Sequence, residues 1–285
     1  MQNKLKYIFF GSSRLSVIVL KTLIELNLEP ILVVCPVPKK AGRGLVVKDS
    51  PLKLLALKNK IEVKEVEKID EAFLGEMKKY NPEFLLVASF GKILPKSFLD
   101  FTKYGVLNIH PSLLPKYRGP SPIQYQILNN EQNVGVTIMK MDEEVDHGDI
   151  VSQIGIVLPG FHLSYDVLEE IFAKAGAKLF AKDIEDYLSG KLKPVVQNHN
   201  EATFTKLFKK EDGLIDFKDD NLKNYLKYLA LKDTLGVYFF ENHKGLDIRV
   251  KITEATFQDE IFAIKRVIPE GKKEMTYEAF KNGLK

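Results

Sequence analysis

Two short runs carry the residues that could do chemistry: Asn108-Ile109-His110-Pro111-Ser112-Leu113-Leu114-Pro115 and, further along, Asp146-His147-Gly148-Asp149. They set an amide, an imidazole and a carboxylate at the ends of apolar, strand-like stretches. Residues 104–109 form a short apolar run of buried-strand type. Residues two apart in a strand share a face, so Asn108 and His110 are expected to point the same way. Pro111 lacks the N–H needed to continue a ladder and ends the strand. Both side chains therefore belong at the strand's carboxyl end, where open α/β sheets bind ligands. The trio suits attack of an amine on a carbonyl carbon, with no metal and no covalent intermediate. Asn108 can donate to the oxyanion. His110 can donate to the same oxygen or take the amine's proton. Asp146 can orient the imidazole, raise its basicity or hold a relaying water. Singly these signals are weak. A buried His is more often a satisfied core residue, an Asn at a strand end is usually a turn residue, and an acidic run such as Asp142-Glu143-Glu144 is usually a solvated hairpin tip. Asn-x-His-Pro at a strand end, a Pro-rich loop and then Asp-x-Gly-Asp are far more specific together.

The elements that must position the trio follow from periodicity. Strands are expected over 7–10, 31–35, 61–63, 84–87 and up to His110. Helical patterns fall between them: one through Leu15, Ile18, Val19, Leu20, Leu23 and Ile24, one from Pro51, and one over 69–80 with Pro82 as its stop. Such alternation implies a doubly wound, mostly parallel α/β sheet of Rossmann-like type. A strand pair over 134–141 and 150–157 brackets the acidic turn, and a long helix over 165–188 closes the unit. Residues 190–203 are polar, with Gln197-Asn198-His199-Asn200, and read as a linker. A helix over 221–231 and apolar runs at 237–240, 247–252 and 261–268 suggest a small β-rich second domain. The expected division is 1–189 catalytic domain, 190–203 linker and 204–285 second domain.

Composition bounds the reading. The chain has 285 residues, 45% hydrophobic and 28% charged, with net charge +4. That is ordinary for a globular chain and too little charge for a general polyanion-binding claim. Cys35 is the one cysteine; it sits in an apolar run, makes no zinc spacing and fits a reducing compartment. Residues 1–6 show no signal core, and no stretch approaches a membrane span, so a cytoplasmic protein with no membrane contact is expected. A dinucleotide-binding Gly-x-Gly-x-x-Gly is missing after the first strand, where only Gly11 stands.

With these residues in hand, the chain resembles the folate-dependent formyltransferases, and within them the branch that acts on tRNA. The resemblance rests on Asn108-x-His110-Pro-Ser-Leu-Leu-Pro115 with Asp146-x-Gly148-Asp149, and on matches along nearly the whole length: residues 88–95, 116–124 and 135–139 among them. It implies 10-formyltetrahydrofolate as co-substrate, no metal, and Asn108, His110 and Asp146 as the catalytic residues. It implies a folate site at Ser89, Phe90, Gly91, Ile93, Leu94, Ser112, Leu113, Leu114, Pro115 and Asp142. Residues 41–53 resemble a loop that the tRNA-directed enzymes place near the acceptor end. There Lys39, Lys40, Arg43 and Lys48 are implied to meet phosphates of initiator methionyl-tRNA. The segment Phe208-Lys209-Lys210-Glu211-Asp212-Gly213-Leu214-Ile215-Asp216-Phe217 resembles the start of that branch's C-terminal OB-like barrel, a fold suited to nucleic-acid backbones. Lys/Arg only slightly outnumber Asp/Glu beyond Phe204, so tRNA binding there rests on resemblance and not on charge. A monomer is expected.

The departures are specific. The family has Thr-Pro-x-Phe after the first glycine, and this chain has Ser12-Ser13-Arg14-Leu15. A small residue or Thr usually separates the Asp from the Gly, and here it is His147, expected to face solvent or, alternatively, to add a second imidazole. The barrel looks shortened, with a gap at 253–261 where the family has more strand. Rival readings are an N-formyltransferase for an amino-sugar nucleotide, a glycinamide ribonucleotide formylase, a non-catalytic RNA- or folate-binding protein on the same scaffold, and a metal hydrolase using His110, Asp146, His147 and Asp149. The last has no usual zinc spacing.

Overall fold

A computed structural model of the chain describes residues 5–38, 48–158 and 162–284. The first elements are β1 (Tyr7–Gly11), α1 (Arg14–Glu25), β2 (Leu32–Pro36), α2 (Pro51–Lys58), β3 (Glu62–Val66), α3 (Glu71–Lys78), β4 (Phe84–Ala88), α4 (Lys96–Asp100) and β5 (Val106–His110). Then come α5 (Pro122–Leu128), β6 (Val134–Lys140), β7 (Ile150–Ile156) and α6 (Tyr165–Leu188). The remainder is α7 (Asn221–Leu231), β8 (Val237–His243), β9 (Leu246–Gln258), β10 (Ile261–Pro269), β11 (Met275–Thr276) and α8 (Tyr277–Asn282).

Strands β1 to β7 form one sheet in the order β3-β2-β1-β4-β5-β6-β7. β1 to β5 run parallel, while β6 and β7 are antiparallel additions. This is the doubly wound, mostly parallel sheet that the alternating pattern predicts. β1 and β4 are buried along their whole length, as central strands covered on both faces must be. On one face Tyr7 stacks on Phe84 at 5.1 Å, and both meet Phe180 of α6. On the other, Ile8, Phe10, Leu85 and Val87 pack with Phe73 and Met77 of α3 and Phe98 of α4. The strand order reverses between β1 and β4, which opens a crevice at their carboxyl ends. β5 is the next strand along, so its terminal residues border that crevice.

The departure after Gly11 has a structural use. Ser13 caps α1, and the Ser16 hydroxyl donates to the Ala88 carbonyl at 2.6 Å. The Ser12 hydroxyl donates to Ser89 O at 2.7 Å. These bonds tie the β1–α1 turn to the end of β4. Arg14 pairs with Glu169 of α6 at 2.9 Å.

The chain divides into two compact units: Met1–Gly119, Asn133–Ile156 and Glu169–Phe204, and Pro120–Gln132, Val157–Leu168 and Thr205–Lys285. Residues 190–203, expected as a linker, belong with the first: Val195 and Ile150 exchange backbone hydrogen bonds at 2.8 Å each way, and Gln197 is buried. The second unit holds an antiparallel sheet, β11-β10-β9-β8, a small barrel-like β unit. Its α7 packs on the sheet, and α5 packs on α7. Residues 253–261 are not a gap. β9 continues to Gln258, Asp259 and Glu260 turn with φ of 49° and 61°, and β10 starts at Ile261. Two consecutive positive φ values make the tight hairpin turn that matches strand twist. The sequence hides this because Glu254, Ala255 and Thr256 interrupt the apolar alternation, although Phe257 pairs with Phe262 across the ladder.

Gly176 of α6 sets how closely that helix approaches β5. A Cβ there would stand 2.4 Å from Ile109 Cγ2 and 3.1 Å from Val136 Cγ1. Replacing Gly by Ala in an open helix gains about 1 kcal/mol, but overpacking costs about 1–3 kcal/mol and wins here. Gly176→Ala is expected to lose about 1–2 kcal/mol in urea unfolding. Gly75→Ala on α3, where nothing lies within 4 Å, should gain up to about 1 kcal/mol. A gain at both positions would show that the α6–β5 contact does not resist a methyl group.

Candidate active site

Asn108 and His110 end β5, paired with Met139 and Thr137 of β6. Asp146 lies in the turn between β6 and β7. The fold brings the three together within the first unit. Asn108 Nδ2 approaches Asp146 Oδ1 at 3.4 Å, and His110 Nδ1 lies 3.6 Å from the same oxygen. The first distance is a long hydrogen bond and the second is too long for one. Asp146 Oδ2 is held more firmly, accepting from the Gly119 N–H at 2.7 Å.

His110 is only 3% exposed, and its Nε2 stands 3.0 Å from the Tyr117 carbonyl. A carbonyl can only accept, so Nε2 must carry a proton. In the neutral ring Nδ1 is then bare and turned toward Asp146. Nδ1 is the nitrogen free for chemistry, and a proton gained there lies against the carboxylate.

The loop between β5 and α5 is shaped from beneath by the buried Ser112 and Thr137 and by Gln153. The Ser112 N–H donates to His110 O at 2.9 Å, and its hydroxyl donates to Lys116 O at 2.7 Å. The Thr137 hydroxyl donates to Ser112 O at 2.7 Å and accepts from the Leu114 N–H at 3.1 Å. Gln153 Nε2 donates to Leu114 O and to Thr137 Oγ1. From the other side the Tyr117 N–H donates to Thr203 Oγ1 at 2.8 Å, and the Arg118 N–H to Thr203 O at 2.9 Å. Arg118 is itself buried, and burial pulls its guanidinium below the ordinary range against the opposing pull of Asp146, Asp142 and Glu144. It donates to Gln197 Oε1 at 3.1 and 2.6 Å and to His199 Nδ1 at 2.9 Å.

Gly148 is required where the turn closes, because a Cβ there would lie 1.9 Å from the Lys140 carbonyl oxygen. His147 is neither free in solvent nor added to the trio. Its Nδ1 meets Asp142 Oδ2 at 2.6 Å, and its ring stacks on His199 with centroids 4.0 Å apart. Among the described residues no group of three His, Cys, Asp or Glu is placed to hold a metal ion.

The residues implied for folate divide in two. Phe90 and Leu94 are buried in the core beneath the sheet, with Phe90 edge-on to Phe10. They anchor the loop after β4. Ser89 (φ 51°) and Gly91 (φ 72°) turn its backbone outward, and Ile93 is 90% exposed. Within the loop between β5 and α5, Ser112 and Leu114 are buried, while Leu113, Pro115 and, in the β6–β7 turn, Asp142 are half-buried. An exposed backbone turn with one projecting apolar side chain, at the crevice beside the trio, fits a flat heterocycle. Lys39, Lys40 and Arg43 lie outside the described residues; Lys48 is exposed just before α2. Gln197, Thr203, Thr137 and Gln153 escape a reading by residue type. The available signal was Gln197 and Thr203 flanking a polar stretch between Val196 and Phe204.

A family model for formyl transferases matches residues 5–184. The chain is 36% identical over 248 residues to a methionyl-tRNA formyltransferase of Caldanaerobacter subterraneus, covering 86% of this chain and 79% of that one. It is 34% identical over 301 residues to the enzyme of that name from Carboxydothermus hydrogenoformans, covering 99% and 97%. Among solved structures, a methionyl-tRNA formyltransferase from Clostridium thermocellum superposes with TM-score 0.60 at 19% identity, over 95% of this chain and 99% of that one. An N-formyltransferase from Helicobacter canadensis, solved with folinic acid and dTDP-3-aminofucose, superposes with TM-score 0.62 at 20% identity, over 90% and 88%.

The proton position on His110 is directly testable. In 15N-histidine-labelled protein, the neutral His110 ring is expected to show a protonated Nε2 and a pyridine-like Nδ1. The opposite tautomer would remove Nδ1 as the working atom.

Proposed function

The chain belongs to the formyl transferase family, and we propose that it transfers the formyl group of 10-formyltetrahydrofolate to the α-amine of methionyl-initiator tRNA. The observation that carries the chemistry is the convergence of Asn108, His110 and Asp146 at the end of β5. The folate supplies an activated formyl carbon. The protein's residues do the rest. Asn108 makes only one long contact with Asp146, so its amide keeps a hydrogen for the oxygen on which negative charge develops. His110 Nδ1 takes the proton that the attacking amine must lose and delivers it to N10 of the folate as the bond from N10 to the formyl carbon breaks, so that formylated amine and tetrahydrofolate leave and the imidazole is neutral again. The imidazolium then faces Asp146. Opposite charges about 4 Å apart are worth about 4 kcal/mol at the effective dielectric of a protein site, on the order of a thousandfold in rate. No metal takes part in this scheme. Ser89, Gly91, Ile93, Leu113, Pro115 and Asp142 line the folate site, with Phe90, Leu94, Ser112 and Leu114 holding it from below.

Support for a tRNA acceptor is the extent of the match, which runs through the second unit to nearly the full length of the Carboxydothermus enzyme. We assign the catalytic step to the first unit and tRNA contact to the second unit and to Lys39, Lys40, Arg43 and Lys48. No described helix is long and apolar enough to cross a membrane. We propose a cytoplasmic monomer. The second reading is formylation of an amino-sugar nucleotide, since the Helicobacter canadensis enzyme shares the fold.

Offered 10-formyltetrahydrofolate with methionyl-tRNA and amino-sugar nucleotides in parallel, the protein is expected to formylate methionyl-tRNA. Preference for the sugar would overturn the acceptor and keep the chemistry. Asn108→Ala is expected to lower kcat about 100- to 1,000-fold, and His110→Ala about 100- to 10,000-fold, with folate affinity nearly unchanged. Turnover of His110→Ala within a few fold of wild type would refute the assignment.

A further inference from the structure

Gln197 comes from the segment expected as a linker, yet it is 4% exposed and sits behind the catalytic turn. Its Nε2 donates both hydrogens, to Asp146 O at 2.9 Å and to Gly148 O at 2.7 Å. Its Oε1 accepts twice from Arg118, at 3.1 Å from Nε and 2.6 Å from Nη2. Only one orientation of the amide satisfies these partners. Turned over, the NH2 group would face a guanidinium, which cannot accept, and the oxygen would face two carbonyls, which cannot donate.

The two carbonyls flank His147, within the turn that Asp146 opens. Asp146 has φ of 49°, a left-handed conformation that is unfavourable for a residue with a side chain. The Asp146 carboxylate is drawn to the trio by the Gly119 N–H. Its backbone is fixed separately, from behind, by Gln197. Side-chain and backbone constraints together leave the carboxylate one place to stand, beside Asn108 and His110.

We infer that Gln197 is a positioning residue for formyl transfer, acting through the backbone of Asp146 and Gly148, and that Arg118 sets the sense of its amide. His199 completes the arrangement by accepting from Arg118 Nη2 at 2.9 Å. This rests on the formyl-transfer reading of the site. Gln197 touches neither substrate nor reacting atoms, so its loss should lower kcat and leave folate binding in place.

The test uses the full chain and steady-state formyl transfer from 10-formyltetrahydrofolate to methionyl-tRNA, with rates normalised to folate-binding sites. Gln197→Met removes all four hydrogen bonds at similar volume. It is expected to lower kcat about 10- to 100-fold, with KM for the folate within twofold. Gln197→Glu keeps the volume and the Arg118 partner but sets an oxygen against two carbonyls. It should lose at least as much activity, and it carries the test if Gln197→Met does not fold. In an Asp146→Asn background either substitution should cost less than about threefold more, because residues acting through one group are not additive. A Gln197→Met or Gln197→Glu enzyme within twofold of wild type would overturn the inference. So would a loss that repeats in full in the Asp146→Asn background, or one seen only in KM. A wild-type protein with no formyl transfer would sink the functional reading itself, a separate outcome from an active wild type with an indifferent Gln197.

Discussion

The bond from the Gly119 N–H to the Asp146 carboxylate, 2.7 Å long, is the contact on which the rest of the site depends. A carboxylate facing an imidazole at 3.6 Å makes no hydrogen bond with it and must be held by something else. Gly119 holds one oxygen and leaves the other for Asn108 and His110. For this to work, the loop from Pro111 to Gly119 must end where its N–H points at Asp146. That demand reaches into the sheet: Thr137 and Gln153, from β6 and β7, hold the loop from below. Thr203 holds it from the far side. The Thr137 bonds are buried, and those of Gln153 and Thr203 are part-buried; such a bond is worth about 1 kcal/mol net, but leaving a buried one unmade strands its partner at about 1–3 kcal/mol. The network therefore specifies geometry more than it adds stability.

The sheet explains why the site can be so fully determined. A parallel strand buried on both faces delivers its last residues to a fixed point, and β5 delivers Asn108 and His110 with one apolar residue, Ile109, between them. Ile109 packs toward α6, where Gly176 lets the helix come close. The antiparallel β6–β7 addition then returns the chain to the same edge and places Asp146 opposite. Two rigid strand ends and one tight turn suffice to bring together residues far apart in sequence. A conformational lid is not needed to assemble them.

Much of this was legible in the sequence. Short continuous apolar runs marked the strands of the main sheet and longer helical patterns marked α6 and α7, and Asn108-x-His110-Pro gave both the face and the strand end. What stayed hidden were polar residues whose use is set by tertiary contact. Gln197 lies in a polar stretch indistinguishable by composition from a linker, and only burial against Asp146 and Gly148 reveals it. The short helices α4 and α5 lack the length for a periodic signal, and the β9 extension lacks alternation. Residues 39–47, with Lys39, Lys40 and Arg43, were identified by resemblance alone.

His147 is the clearest case of a residue whose neighbourhood in sequence misleads. It follows Asp146 directly, yet the left-handed turn at Asp146 sends it away from the trio. Asp142 takes its Nδ1, and His199 takes one ring face. His199 in turn accepts from Arg118, so its Nδ1 must be unprotonated there. The stacked pair thus joins the two ends of one chain of contacts, from Asp142, which we assign to the folate site, to Arg118 and Gln197 behind the carboxylate. A small residue at position 147 could make neither the Asp142 bond nor the stack. This sequence places an imidazole at each of the two positions, and the second, His199, comes from the same segment that supplies Gln197. The segment beyond α6 is therefore part of the catalytic architecture, because the groups that fix the working carboxylate from behind are drawn from it.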